Sequence, residues 1–163
     1  MTIYYTGRGD NGKSQMGARK IAKDAPLMEA LGALDELNSW LGFCNYKKLR
    51  PVQETLFIAQ AELGMYSKLR VKKEKTLELE QEIAKIDKLV PSIKKFIIPG
   101  GSELATKLDF ARALARRAER TAVKARVSAD LLQYLNRLSS LLFALARLVN
   151  FRLKLKEENP TYK

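Results

Sequence analysis

The ladder Leu131, Leu135, Leu138, Leu142 and Leu145 restricts this chain more than any other feature, because leucine returns there every three or four residues. That period fits one face of an α-helix and no strand. The same spacing recurs in Leu27, Ala30, Leu34, Leu37, Leu41 and Cys44, and again in Val52, Leu56, Ala59, Leu63 and Tyr66. It returns in Leu79, Ile83, Ile86 and Val90, then in Leu108, Ala111, Ala115, Ala118 and Ala122. Punctuation agrees with the period. Asp24 is placed to cap the first helix, with Pro26 in its first turn. The second helix follows Pro51, and the third spans roughly 73–90 until Pro91 stops it. Ser102 is placed to cap a fourth that runs to about 126, and a fifth starts near Ser128 and ends near Lys156. The predicted fold is all-α: a five-helix up-and-down bundle over 26–156, in one domain of 163 residues. Residues 1–25 read as irregular, a strand-like Ile3-Tyr4-Tyr5 leading into a loop with Gly7, Gly9, Gly12 and Gly17.

The last two helices set arginines beside their apolar stripes. Arg112, Arg116 and Arg120 recur at i, i+4, i+8 on one, and Asn136, Ser140, Phe143 and Arg147 share a line on the other. Arginine at a core edge either finds an anionic partner or snorkels out along a solvated flank. Held on rigid helices, guanidinium groups suit phosphate or carboxylate recognition. Asp35 and Asn38 lie at the margin of the first helix's stripe, where a carboxylate is more often exposed or ion-paired than catalytic. Phe96, in the extended run FIIPGGS (96–102), reads most simply as a core aromatic.

Composition narrows the chemistry. The chain has no histidine, so the commonest general base and transition-metal ligand are both missing. Cys44 is the lone cysteine, which excludes an intrachain disulfide and fits a reducing cytoplasm. A net charge of +12 points to anionic partners, although the lysines are spread as solvated faces are. No apolar run approaches the roughly 20 residues of a membrane span, and no secretory signal is expected at the N-terminus.

GRGDNGKS (7–14) satisfies the phosphate-loop pattern G-x-x-x-x-G-K-[ST] literally. The pattern works when a buried strand feeds the loop and a helix follows it. Here six residues precede the loop, no helical period follows Ser14, and no alternation of strands and helices appears downstream. A P-loop fold is therefore not expected. A glycine-rich loop with Arg8, Lys13, Arg19, Lys20 and Lys23 can still wrap a triphosphate through amides and charge.

Taken in order, Y-T-x-x-G-D-x-G (5–12), KDAPLMEALGALDELNS (23–39), FIIPGGS (96–102), RRAER (116–120) and YLNRLSSLLFALAR (134–147) closely resemble the PduO-type ATP:cob(I)alamin adenosyltransferases. The resemblance implies a homotrimer with ligand sites between subunits. It also implies transfer of the 5′-deoxyadenosyl group of ATP to reduced cobalt, with triphosphate released. Co(I) would itself be the nucleophile, so no side chain need act as acid or base.

By the same resemblance, Thr6, Gly7, Arg8, Gly9 and Ser14 would hold the ATP phosphates with help from Lys23. Arg116, Glu119, Arg120 and Asn136 would complete the ATP site, with Mg²⁺ bridging phosphate oxygens and no confident protein ligand to it. Phe96 would stand against the lower face of the corrin, and Asp35 would pair with Arg112 across the subunit boundary to shape that pocket. Partners implied are ATP, a reduced corrinoid such as cob(I)alamin and a reductase supplying Co(I), with neither nucleic acid nor membrane. The chain departs from the family pattern at Gly7-Arg8, at Lys13-Ser14 and at Ser140, where the family commonly has aspartate. Two other readings remain open at this point. One is a basic helical nucleic-acid-binding protein, against which stands the lack of a helix-turn-helix or aromatic platform. The other is a catalytically altered ATP-binding relative.

Overall fold

The computed structural model describes residues 4–5, 7–65 and 68–162. Two short antiparallel strands, β1 (Lys13–Met16) and β2 (Arg19–Ala22), precede five helices: α1 (Pro26–Phe43), α2 (Arg50–Gly64), α3 (Lys73–Asp87), α4 (Glu103–Ala125) and α5 (Ala129–Arg152). A single 3₁₀ turn, Lys47–Leu49, leads into α2.

The expected helices are present, and their apolar stripes are the core. All five leucines of the α5 ladder are buried, as are Leu108 and the alanines at 111, 115, 118 and 122 on α4. Small alanines let α4 lie close between α1 and α5, and α3 packs along the other side of α5. The helices therefore follow the spatial order α2–α1–α4–α5–α3, and α3 packs chiefly along α5 instead of along α2 or α4, its neighbours in the chain. Ser102 caps α4 as expected, accepting from the Ala105 amide, and Ser128, where the fifth helix was expected to start, caps α5 by accepting from the Leu131 amide.

Four expectations at element ends are corrected. Residues 13–22 are not irregular: they form the β1–β2 hairpin, with Lys13 opposite Ala22 and Met16 opposite Arg19. Alternation over four residues is too short a signal to stand out beside glycines. Lys13 and Ser14 thus lie in a strand where a phosphate loop would begin a helix, so the literal motif match is accidental. Asp24 does not cap α1. Ala25 takes that position with extended backbone and no side-chain hydrogen bond, and Pro26 starts the helix with its preset φ. Helix α3 ends at Asp87 and α5 at Arg152, each a few residues before the expected point. Ile3, Thr6 and Tyr66, named above, lie outside the described residues.

The turn between α3 and α4 is held from α5. Gly100 and Gly101 adopt φ of 146° and 102°, conformations open to glycine. Asn150 accepts from the Ser102 amide and hydroxyl at 3.0 and 3.1 Å, and donates to the Gly100 carbonyl at 2.8 Å. A Cβ on Gly101 would stand 2.5 Å from the Asn150 side chain. Gly101→Ala should therefore lower stability by about 1–3 kcal/mol, read as a shifted denaturation midpoint. Gly32→Ala, in α1 with open space around its would-be Cβ, is the control and should be neutral or stabilising by up to about 1 kcal/mol. Equal behaviour of the two variants would contradict a tight turn at Gly101.

Candidate functional site

The residues singled out in the sequence gather into two clusters on different surfaces. The first is the glycine loop and the hairpin behind it. The Asp10 amide donates to the Gly7 carbonyl and the Gly12 amide to that of Gly9, while the Lys23 amide closes the loop on the Gly12 carbonyl at 2.9 Å. A Cβ at Gly9 would meet the Lys23 ammonium at 3.4 Å, so Gly9 and Lys23 are neighbours although 14 residues apart. Gly7 and Gly12 take positive φ. Ser14 lies half-buried in β1, and Arg8 is exposed. Asp35 stands on α1 above a shallow hollow formed with Met28, Leu31, Phe57 and Gln60, and accepts from Gln60 Nε2 at 3.5 Å.

The second cluster is a cleft of about 680 Å³ between α4, α5 and residues 93–97. Arg112 and Arg116 on α4, Ser139, Ser140 and Phe143 on α5, and Phe96 line it. Phe96 is 79% exposed, so the expectation of a core aromatic is overturned. Its backbone is fixed from the C-terminal tail instead: Asn159 donates to the Phe96 carbonyl at 2.7 Å, and the Ile98 amide donates to the Glu158 carbonyl at 2.8 Å. The ring therefore stands as an apolar surface at the mouth of the cleft, on a backbone that the tail holds in place.

Arginines of α4 and α5 divide by role. Arg117 pairs with Glu36, and Arg137 with Glu80 at 2.9 Å, tying helix to helix. Arg147 is 6% exposed and is held bidentately by Glu157 at 2.6 and 3.1 Å and by the Pro91 carbonyl at 2.8 Å. Arg112, by contrast, sits 3.8 Å from Asp109 and 6.0 Å from the Phe143 ring centroid, with its buried Nε lacking a hydrogen bond. Arg116 is exposed at the cleft, and Arg120 donates back to the Arg116 carbonyl at 3.0 Å. Asn136 reaches across to Glu119 at 2.8 Å, joining α5 to α4 beside them.

Asp35 and Arg112 line different surfaces of the chain, so their expected pairing is not made within one molecule. Arg112 leans on Asp109 instead. Burial is the largest influence on the Asp109 carboxyl and pushes its pKa up, while the Gly100 amide and Arg112 pull the other way. Sequence reading missed Asp109, Asn150, Glu157 and Asn159. Asn150 had a signal, since it continues the line of Phe143 and Arg147 one turn on. The tail residues had none, because no periodicity links them to what they touch.

Residues 4–149 match the cobalamin adenosyltransferase family. The corrinoid adenosyltransferase of Bacillus subtilis strain 168 is 35% identical over 167 residues, covering 91% of this chain and 86% of its own. The PduO corrinoid adenosyltransferase of Citrobacter freundii is 37% identical over 88% of this chain, which spans 48% of that longer protein. Among solved structures, a variant PduO-type ATP:corrinoid adenosyltransferase from Lactobacillus reuteri, complexed with cobalamin and ATP, matches with a TM-score of 0.92 at 32% identity, over 97% of this chain and 96% of that one. Family match, relatives and fold agree: the chain belongs to the cobalamin adenosyltransferase family.

Proposed function

We propose that this protein transfers the 5′-deoxyadenosyl group of ATP to the Co(I) of a reduced corrinoid, giving adenosylcobalamin and triphosphate. The observation that carries the reading is Phe96, an exposed ring on a held backbone, facing a cleft with two arginines. The cobalt lone pair forms the Co–C5′ bond as the C5′–O bond breaks, and the electron pair of that bond leaves on triphosphate. Cobalt passes from Co(I) to Co(III), and no proton moves. A chain without histidine is suited to this, because its tasks are to orient ATP and to neutralise the leaving phosphates.

Roles follow from the two clusters. Thr6, Gly7, Arg8, Gly9 and Ser14 hold the phosphates by amides and charge with help from Lys23, and Arg116, Glu119, Arg120 and Asn136 complete the ATP site. Mg²⁺ would be carried by the ATP phosphate oxygens, because a loop of backbone N–H donors and cations suits phosphate and offers the metal no ligand of its own. Phe96 covers the lower face of the corrin, excluding an axial ligand so that the cobalt is more easily reduced. Since the two clusters lie on different surfaces, a complete site takes the loop and Asp35 from one copy and Arg112, Arg116 and Phe96 from another, as a homotrimer provides. Asp35 then pairs with Arg112 across that boundary. The whole chain serves as one domain, the first 25 residues as nucleotide loop and 26–156 as scaffold. A reductase supplies Co(I), and a cytoplasmic setting suits the lone buried thiol of Cys44.

Two substitutions test these roles separately. Arg116→Ala should weaken ATP binding by about 1.5–3 kcal/mol, the usual cost of a lost charge-assisted hydrogen bond. Because Arg116 is exposed, the melting temperature should hold; calorimetric titration and thermal melting read the two effects. Unchanged ATP affinity in a destabilised protein would make Arg116 structural. Phe96→Ala should abolish most adenosylation when cobalt is reduced on the enzyme. It should cost less when cobalt is chemically pre-reduced, and should leave ATP affinity unchanged. A core phenylalanine would instead cost about 3–5 kcal/mol of stability, and equal losses in both assays with a lowered melting temperature would remove Phe96 from the corrin site.

A further inference from the structure

The C-terminal tail beyond α5 has no helix or strand of its own, yet it is fixed at three successive residues. Glu157 holds the buried Arg147 bidentately, the Glu158 carbonyl accepts from Ile98, and Asn159 donates to the Phe96 carbonyl. Arg147 also donates to the Pro91 carbonyl, at the other end of the segment that carries Phe96. Residues 91–98 are therefore gripped at Pro91, Phe96 and Ile98, and every grip leads to Arg147 or to the tail that Arg147 anchors. The segment has little else to hold it, since Pro91 through Phe96 are all exposed and none lies in a helix or strand. Glu157 and Glu158 also line a small cavity that they share with Ile97, Ile98, Asp109, Arg112 and Phe143.

We infer that the tail is a positioning element for the cobalt chemistry: the Arg147–Glu157 pair anchors it, and Glu158 and Asn159 set where Phe96 stands. This rests on the corrin role of Phe96 given above. A buried charge-assisted pair is suited to the anchor, because breaking it strands a guanidinium in the core. An exposed amide is suited to the grip, because Asn159 can be altered without disturbing the core. The tail therefore acts on the reaction through Phe96 alone, and ATP binding is insulated from it.

The test uses the full-length protein with Asn159→Asp, which keeps size but removes the donor, and Glu157→Gln, which keeps size but breaks the charged pair. Three quantities are read: hydrogen exchange at the Ile98 amide, the fraction of four-coordinate cob(II)alamin seen by electron paramagnetic resonance with ATP bound, and the KM for ATP. We expect Ile98 exchange to accelerate about tenfold, the equivalent of one lost hydrogen bond. The four-coordinate fraction should fall with it, while the KM for ATP and the melting temperature of Asn159→Asp stay at wild-type values. Should Glu157→Gln fail to fold, Asn159→Asp alone decides. Wild-type Ile98 exchange in Asn159→Asp would overturn the proposal, as would faster exchange with an unchanged four-coordinate fraction. Phe96→Ala separates the two readings. If it too leaves that fraction unchanged, the corrin role of Phe96 has failed, and Ile98 exchange alone decides whether the tail holds the segment.

Discussion

A guanidinium in a helical core must be paired, and much of what surrounds the cleft depends on how this chain pairs Arg147. The leucine ladder of α5 turns the helix inward along most of its length, which carries Arg147 down to 6% exposure. Two charged contacts from Glu157 and one carbonyl contact from Pro91 satisfy it. Those partners come from the exit of α3 and from the tail, so one buried charge fixes both ends of an otherwise loose region. Removing Glu157 leaves an unpaired buried charge, which typically costs several kcal/mol. One turn further along α5, Asn150 does for the Pro99–Ser102 turn what Arg147 does for the segment before it. Together they make α5 the frame on which the cleft is built.

The division among arginines carries the functional argument. Arg117, Arg137 and Arg147 have carboxylate partners on other elements, as arginines that serve the fold should. Arg112 has a poorly satisfied partner and an unbonded Nε, and Arg116 faces the cleft. Cations arranged this way on a rigid helix are available to a ligand without a change in the scaffold. The paired arginines cancel against their carboxylates, so the net charge of +12 is carried by other cations, and those at the cleft are the ones suited to phosphate.

Much of this was legible in the sequence because the helical period is a local property. Five stripes gave five helices, Ser102 gave the cap of α4, and Ser128 marked where α5 begins. What failed was short or long-range. The β1–β2 hairpin has four residues per strand, too few for alternation to register, and Asp24 lost its capping place to Ala25 because Pro26 already presets the turn. Phe96 read as core because large aromatics usually are, and it is the three-dimensional path of residues 91–98 that leaves the ring exposed. The Glu157–Arg147 and Asn159–Phe96 links join residues 10 and 63 positions apart, beyond the reach of any pattern in the chain itself. The RRAER and LNRLS motifs contain Arg116 and Ser139, which line the cleft, but nothing in them separates the loop and Asp35 from it.

The central claim is that the cleft and loop together make a Co–C bond at the expense of ATP. Its most direct measurement mixes the purified protein with chemically reduced cob(I)alamin and ATP–Mg²⁺ in the dark, follows the visible spectrum and assays the phosphate product. The account predicts conversion to the adenosylcobalamin spectrum with one triphosphate released per Co–C bond, and homolysis of the product to cob(II)alamin on illumination. Loss of the Co(I) spectrum without a light-sensitive product, or release of orthophosphate or diphosphate in place of triphosphate, would contradict it.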